Sequence, residues 1–311
     1  MKLDNVLWIK ASGKWMADAL RDDVLIPLDL TGVVRECLLQ GVDPAERYPN
    51  ASLETAVHAA LPHRVVLHVH SVNTIAWAVR KDALIQLQPR LEGLRWRWVP
   101  YTASGLPLSR EIEHARRAFP DTDLFVLGNH GLVIGGEDAR NVEDLLTEVE
   151  RRLAIPPRQA HPAHYVLLDE ICGRDSQWVL PDDDGVHALG TDAISRAIIA
   201  GGLLYPCQAI FSESGESGLF RPIRYPDLEG NWQKRYRNLL FLIVEGRGVI
   251  VNRSAQPAEL AMISGLAQVA QRLSASAPLR YLTETEVAGI SSQAAHRYRG
   301  LANARQGSGG R

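Results

Sequence analysis

The run Arg64-Val65-Val66-Leu67-His68-Val69-His70 constrains this chain more than any other segment. Its β-branched and apolar residues predict a buried strand, and strand residues two apart share a face. His68 and His70 therefore project side by side from the strand's end. Burying one imidazole there is cheap. Burying two neighbours without a shared partner is not, and a divalent metal is the most economical partner.

The surrounding pattern gives the layers that would bury such a strand. Val6 to Lys10 and Val24 to Leu28 read as strands, and Ser52 to Leu61 reads as a helix. Ser109 to Phe119 is helical, while Leu124 to Leu127 and Leu132 to Ile134 are strands. Ala139 to Leu153 carries an apolar stripe at Val142, Leu145, Leu146, Val149 and Leu153, the period of an amphipathic helix. Alternation of this kind argues for α/β layers rather than a bundle or a sandwich. Ile155-Pro156-Pro157-Arg158-Gln159 breaks it as a linker does. A first domain over 1–155 and a second α/β lobe over 160–303 are expected. Residues 304–311, with the Gly/Ser-rich end Gln306 to Arg311, read as a disordered tail.

The second lobe reads as a degenerate repeat of the first. Leu124 to Ile134, with its Gly128-Asn129-His130-Gly131 turn, is followed by a helix ending Arg152-Leu153. Leu240 to Val251, with Glu245-Gly246-Arg247-Gly248, is followed by a helix ending Arg272-Leu273. Leu204 to Ser212 reads as a fainter, histidine-free echo of the His68 strand. The second lobe is thus expected to keep the architecture without the metal ligands.

Composition excludes several classes. The net charge is −2 with no basic stripe, which disfavours nucleic acid and anionic membrane as partners. The most apolar run, Leu239 to Val251, is interrupted by Glu245 and Arg247 and is too short to span a bilayer. The N-terminus has no signal-peptide core. Cys37, Cys172 and Cys207 form no disulfide framework and no CxxC site, so a cytoplasmic protein is expected.

A third imidazole is His130, between two strands, and three histidines with an open fourth position are what a catalytic zinc requires. Glu54, at the start of the Ser52 helix, is the candidate acid/base. A carboxylate in a first helical turn also simply favours the helix dipole, and Asn50 or Ser52 also suits an N-cap. His58, four residues on, shares Glu54's helix face and reads as a residue that orients the carboxylate. His63, His114, His161, His164, His187 and His296 read as turn, linker or surface residues. Trp96 and Trp98 read as core or interface, and Asp182-Asp183-Asp184 as a solvated turn.

Ala11-Ser12-Gly13, the Ser52-Leu53-Glu54 helix start, His68-Val69-His70 and Asn129-His130-Gly131-Leu132 occur in the order and approximate spacing of the class II aldolase/adducin family. The resemblance covers residues 5 to 153 and is nearest to the aldolase portion of sugar aldolases fused to a short-chain dehydrogenase. No dehydrogenase fingerprint is present here. The resemblance implies a three-layer α/β class II aldolase fold in which His68, His70 and His130 bind a divalent metal, usually zinc. It implies Glu54 as acid/base, and Ser12, Gly13 and Ser52 as a substrate-phosphate site to which Lys14 would add charge. It also implies Tyr101 as a proton donor that reaches a neighbouring subunit's site in a homo-oligomer. The expected reaction makes or breaks a carbon–carbon bond in a small sugar, sugar phosphate or hydroxy acid through a metal-stabilised enediolate. Same-superfamily epimerases, dehydratases and decarboxylases reuse this scaffold, and an adducin-like member has lost activity altogether.

Two departures stand out. The family's N-terminal helix and strand, with a Gly-Asn-x-Ser turn, are not seen ahead of the Val6 strand. Leu53 occupies a position that is a phosphate-binding serine in fuculose-phosphate aldolase, which points to an unphosphorylated or acidic sugar.

Overall fold

The computed structural model describes residues 1–211, 220–290 and 300–301. They fall into two compact units, one over 1–78, 82–154 and 300–301 and the other over 79–81 and 155–290.

Unit 1 is built on a four-stranded sheet of β4 (Val65–Val69), β5 (Trp96–Val99), β6 (Leu124–Leu127) and β7 (Gly131–Gly136), in the order β4-β7-β6-β5. Strands β6 and β7 form an antiparallel hairpin, β4 joins β7 antiparallel, and β5 joins β6 parallel. A parallel pair cannot be closed by a tight turn, and the Leu106–Ala118 helix makes the crossover. Every residue of β6 is buried, as expected of a strand covered on both faces.

The two covering layers follow from the side-chain alternation. Phe125, Leu127, Val66 and Val133 point to one face and pack with Val57 of the helix Thr55–Ala60, Leu61 just after it, and Leu108 and Ile112 of the helix Leu106–Ala118. Leu124, Val126, Leu132 and Ile134 point to the other and pack with Leu87, Val142, Val149 and Leu153. These come from the helices Ala83–Arg90 and Ala139–Leu153. Each fully buried aliphatic or aromatic side chain contributes about 1.5–3 kcal/mol. The result is helix, sheet, helix: the expected three-layer α/β arrangement.

A smaller sheet of β1 (Lys2–Leu3), β2 (Val6–Lys10) and β3 (Leu25–Asp29) completes unit 1. Beyond β2 the chain continues pairing through an antiparallel bridge between Ala11 and Ala51. Ser12 N–H donates to the Asn50 carbonyl and Ser52 N–H to that of Lys10.

Unit 2 carries a three-stranded sheet of β8 (Trp178–Val179), β9 (Phe241–Val244) and β10 (Gly248–Asn252), in the order β8-β10-β9. The Pro257–Arg272 helix follows, opened by a capping box between Gln256 and Glu259. Two expectations are overturned. His187, expected at the surface, is buried, and its Nδ1 accepts the Val249 N–H at 3.1 Å. Residues Pro206–Phe211 of the presumed echo strand form a helix. Proline fits the first turn of a helix, and Gln208 Oε1 accepts the N–H groups of Leu204 (2.6 Å) and Tyr205 (3.3 Å) at the entry to that turn. Ser212, His296 and the tail 304–311 lie outside the described residues. No described helix is long and apolar enough to cross a membrane.

Candidate metal centre

The end of β4 and the β6–β7 turn meet, and they bring three imidazoles to one point. The rings of His68, His70 and His130 form a near-equilateral triangle with centroids 4.9–5.0 Å apart. Their planes cross at 68–78°, so the rings stand edge to face rather than stacked. One nitrogen from each lies within 4.8 Å of the others, the only such group of three ligand-type residues among the described residues.

The backbone explains how the turn comes so close. Asn129 adopts a left-handed conformation (φ 51°), which asparagine tolerates better than most residues. A Cβ on Gly131 would lie 2.5 Å from the Val69 carbonyl oxygen and 3.2 Å from the His70 ring, so no larger residue fits there. A Cβ on Gly128 would strike the Trp98 ring and the Tyr101 backbone nitrogen, both at 2.9 Å.

Proton placement decides what the cluster can hold. His68 Nδ1 lies 2.9 Å from the Leu132 carbonyl, which can only accept, so Nδ1 carries the proton and Nε2 presents a lone pair. That lone pair is 3.1 Å from His70 Nε2 and 3.1 Å from Glu54 Oε2. Glu54 Oε2 is buried and has no hydrogen-bond partner. Its other oxygen is 3.6 Å from His130 Nε2. Burial, reinforced by the neighbouring imidazoles, pushes His70 down to about 3 and His130 well below its ordinary value, so both are neutral at physiological pH. Unprotonated donors facing the buried Glu54 carboxylate, with His70 itself exposed, suit a cation.

The geometry fits one. Tetrahedral coordination at 2.0–2.1 Å sets ligand nitrogens about 3.3 Å apart, close to the 3.1 Å between His68 and His70. The His68–Leu132 hydrogen bond supplies the outer-sphere partner that fixes a ligating histidine's tautomer.

The other expected residues lie at different places around the site. Ser52 joins its own pair to the site: its Oγ accepts the Glu54 N–H at 3.3 Å, and the Ala11–Ala51 bridge sets Ser12 and Gly13 beside it. Gly13 is left-handed (φ +75°) and Ser12 is buried. Lys14 is paired with Asp22 at 3.1 Å. The backbone of Tyr101 runs beside the Gly128 turn. His58 does not play the part expected of it. The Glu54 carboxylate turns towards His68 and His130, while His58 Nδ1 is buried without a hydrogen-bond partner. Two contributors were invisible in sequence: the Leu132 carbonyl, which any residue could supply, and Ser71, whose Oγ caps the helix after His70 by accepting the Thr74 N–H.

The three histidines lie within a stretch that is similar to known proteins. Residues 1–155 match the family model described as Class II Aldolase and Adducin N-terminal domain. A curated relative, the uncharacterized oxidoreductase YuxG of Bacillus subtilis (strain 168), is 28% identical over 148 residues. The match takes in 42% of this chain and 21% of that protein, so the chain spans about a fifth of its relative's length. The N-terminal class II aldolase domain of a conserved protein from Thermoplasma acidophilum has 21% identity and a TM-score of 0.40, covering 48% of this chain and 73% of that one. An aldolase II superfamily protein from Pseudomonas syringae has 25% identity and a TM-score of 0.31, covering 42% and 51%. On the family model's match and the motifs it spans, the chain belongs to the class II aldolase/adducin family through residues 1–155.

Proposed function

We propose that the chain is a divalent-metal-dependent lyase of the aldolase type, acting on a small sugar or hydroxy-acid derivative, with zinc as the metal. The observation that carries this reading is the convergence of His68, His70 and His130 on one point with Glu54 beside them. A divalent ion held by the three imidazoles supplies Lewis-acid stabilisation of charge developing on substrate oxygens. Glu54, 7% exposed, moves a proton at the reacting carbon, and its burial keeps that transfer away from bulk water. Ser12, Gly13 and Ser52 line the approach and hold the far end of the substrate. Leu53, where a phosphate-binding hydroxyl stands in fuculose-phosphate aldolase, favours an unphosphorylated or acidic sugar, with Lys14 as the available cation. Tyr101 serves as a second proton donor, at the aldehyde oxygen, in a cytoplasmic homo-oligomer.

The test is a retro-aldol screen of ketoses, ketose phosphates and ketose acids with added Zn2+, Mn2+ or Co2+. Metal-dependent aldehyde release that Glu54→Gln abolishes supports the proposal. Turnover without aldehyde release shifts the reading to an epimerase, dehydratase or decarboxylase. A chain that binds no metal fits an inactive, adducin-like role instead.

A further inference from the structure

Unit 2 repeats the pairing register of the metal-bearing sheet of unit 1 over shorter edge strands. In the unit 1 hairpin Leu127 pairs with Gly131 and Phe125 with Val133; in unit 2 Val244 pairs with Gly248 and Leu242 with Ile250. The turns match: left-handed Asn129 (φ 51°) corresponds to left-handed Gly246 (φ 68°). His130 N–H donates to the Leu127 carbonyl at 3.2 Å, and Arg247 N–H to that of Val244 at 2.9 Å. Beyond the paired residues, Gly135 N–H donates to Asp123 and Asn252 N–H to Leu240, both at 2.8 Å.

The flanking strands match as well. Val66 lies opposite Gly135 and Trp178 opposite Asn252, both antiparallel. On the other edge Val99 pairs parallel with Leu127, and Ile223 makes a parallel bridge with Val244. Gly128 N–H donates to Val99 at 2.8 Å, and Glu245 N–H to Ile223 at 2.9 Å. An ungapped count from Val66 and Trp178 brings Ala78 to Gly190. Those are the residues whose carbonyls accept from Asn129 (3.0 Å) and Gly246 (2.9 Å). The core follows the same correspondence: Val66, Val99, Phe125, Leu127 and Val133 pack in one cluster, and Trp178, Ile223, Leu242, Val244 and Ile250 in the other. Generic α/β layering repeats strand order. It does not repeat register at every strand and at the turn.

We propose that unit 2 is an internal duplicate of the metal-bearing sheet in which Leu180, Asp182 and Arg247 stand where His68, His70 and His130 stand in unit 1. The duplicate keeps the frame and holds no divalent ion, so the chain binds one metal, not two. Leucine offers no donor, and the guanidinium of Arg247 is a fixed cation at the position of a ligand. Asp182 is left as a lone exposed carboxylate. Its neighbours are occupied elsewhere. Asp183 caps the following turn by accepting the Gly185 N–H at 2.9 Å, the part Ser71 plays in unit 1, and Asp184 accepts the Tyr165 hydroxyl at 2.8 Å.

Restoration of the lost ligands tests this in the full chain. Wild-type protein titrated with Co2+ is expected to take up one equivalent, lost in His68→Ala. The triple variant Leu180→His, Asp182→His, Arg247→His is expected to take up a second equivalent. A folded triple variant that remains at one equivalent overturns the proposal, as does a wild-type chain that binds two. Should the triple variant not fold, Asp182→His with Arg247→His alters only exposed positions. This pair is expected to bind Ni2+ at least tenfold more tightly than either single variant, and failure to do so contradicts the duplication. The first equivalent reports the centre of unit 1 and the second reports the duplicate, so the two readings fail separately.

Discussion

Units 1 and 2 carry one ladder on two cores, and they differ where the ladder ends. In unit 1 the end of β4 and the hairpin turn present three imidazoles to each other across 4.9–5.0 Å. In unit 2 the turn carries an exposed Arg247, and Trp178 and Val179 lead into an exposed acidic run. The frame therefore depends on backbone register and buried apolar positions. The chemistry depends on a few side chains that contribute little to that frame, so one can change without the other.

The largest effects should come from the ligands themselves. His68→Ala is expected to weaken metal binding by roughly a thousandfold or more, because a two-histidine remnant is not a closed site. Glu54→Gln should retain the metal and lower turnover by about 10²–10⁴-fold, the range of a general acid/base. Metal content and initial rates, measured on the same preparations, separate the two. If both variants lose metal equally, Glu54 is a ligand first and a proton carrier second.

Packing around the ladder gives the next effect. A Cβ on Gly135 would lie 2.2 Å from the His63 ring, which is held across β7 by Asp123 at 3.1 Å. Gly135→Ala is expected to cost about 1–3 kcal/mol by overpacking. Pairing it with His63→Ala should recover most of that loss in chemical denaturation. Asn252 fills the same ladder position in unit 2 without difficulty, which locates the constraint in His63 and not in the strand. A double variant no better than Gly135→Ala would refute that.

Acid should destabilise unit 1 through His58. Burial, with His68 a smaller cause, pushes His58 down to about 3 in the folded chain. The unfolded chain takes up this proton near pH 6.5. Between these values the unfolded state binds more protons, so stability rises with pH and is lost as pH falls from about 6.5 towards 3. The expected loss between pH 7 and pH 5 is about 2 kcal/mol from this residue. Thermal melts of metal-free protein should show it, and His58→Gln should flatten the profile. An unchanged profile would move the acid-sensitive group elsewhere.

The smallest effect is expected at Lys14. Its pair with Asp22 is partly exposed and worth at most about 1 kcal/mol, so Lys14→Ala should barely alter the melting temperature. If it also leaves KM unchanged, Lys14 takes no part in substrate binding.

The sheet strands and the last helix of unit 1 are legible because their periods are clean, whereas the short helices Val72–Ala78 and Ala83–Arg90 are not. Ala139–Leu153 appears with the bounds its apolar stripe predicts, opened by Asp138, which accepts the Asn141 N–H. The His-x-His pair was legible because alternation along a strand fixes side-chain direction. That His130 joins it was not, since the turn reaches β4 only through sheet order, and sheet order is set by long-range packing. The true counterpart of the His68 strand in unit 2 escaped notice because β8 spans two residues, too few to show a period. Leu204 to Ser212 looked more strand-like, but Pro206 and the Gln208 side chain turn it into a helix. Helix-face spacing sets His58 beside Glu54, but it does not reveal that the carboxylate turns instead towards His68 and His130.

The central claim is that His68, His70 and His130 hold one catalytic metal. X-ray absorption at the zinc edge on zinc-loaded full-length protein tests it most directly. The account predicts one zinc per chain with imidazole scattering from three nitrogens at about 2.0–2.1 Å and no sulfur shell. Zinc below stoichiometry, or a coordination shell unchanged by His130→Ala, would contradict it.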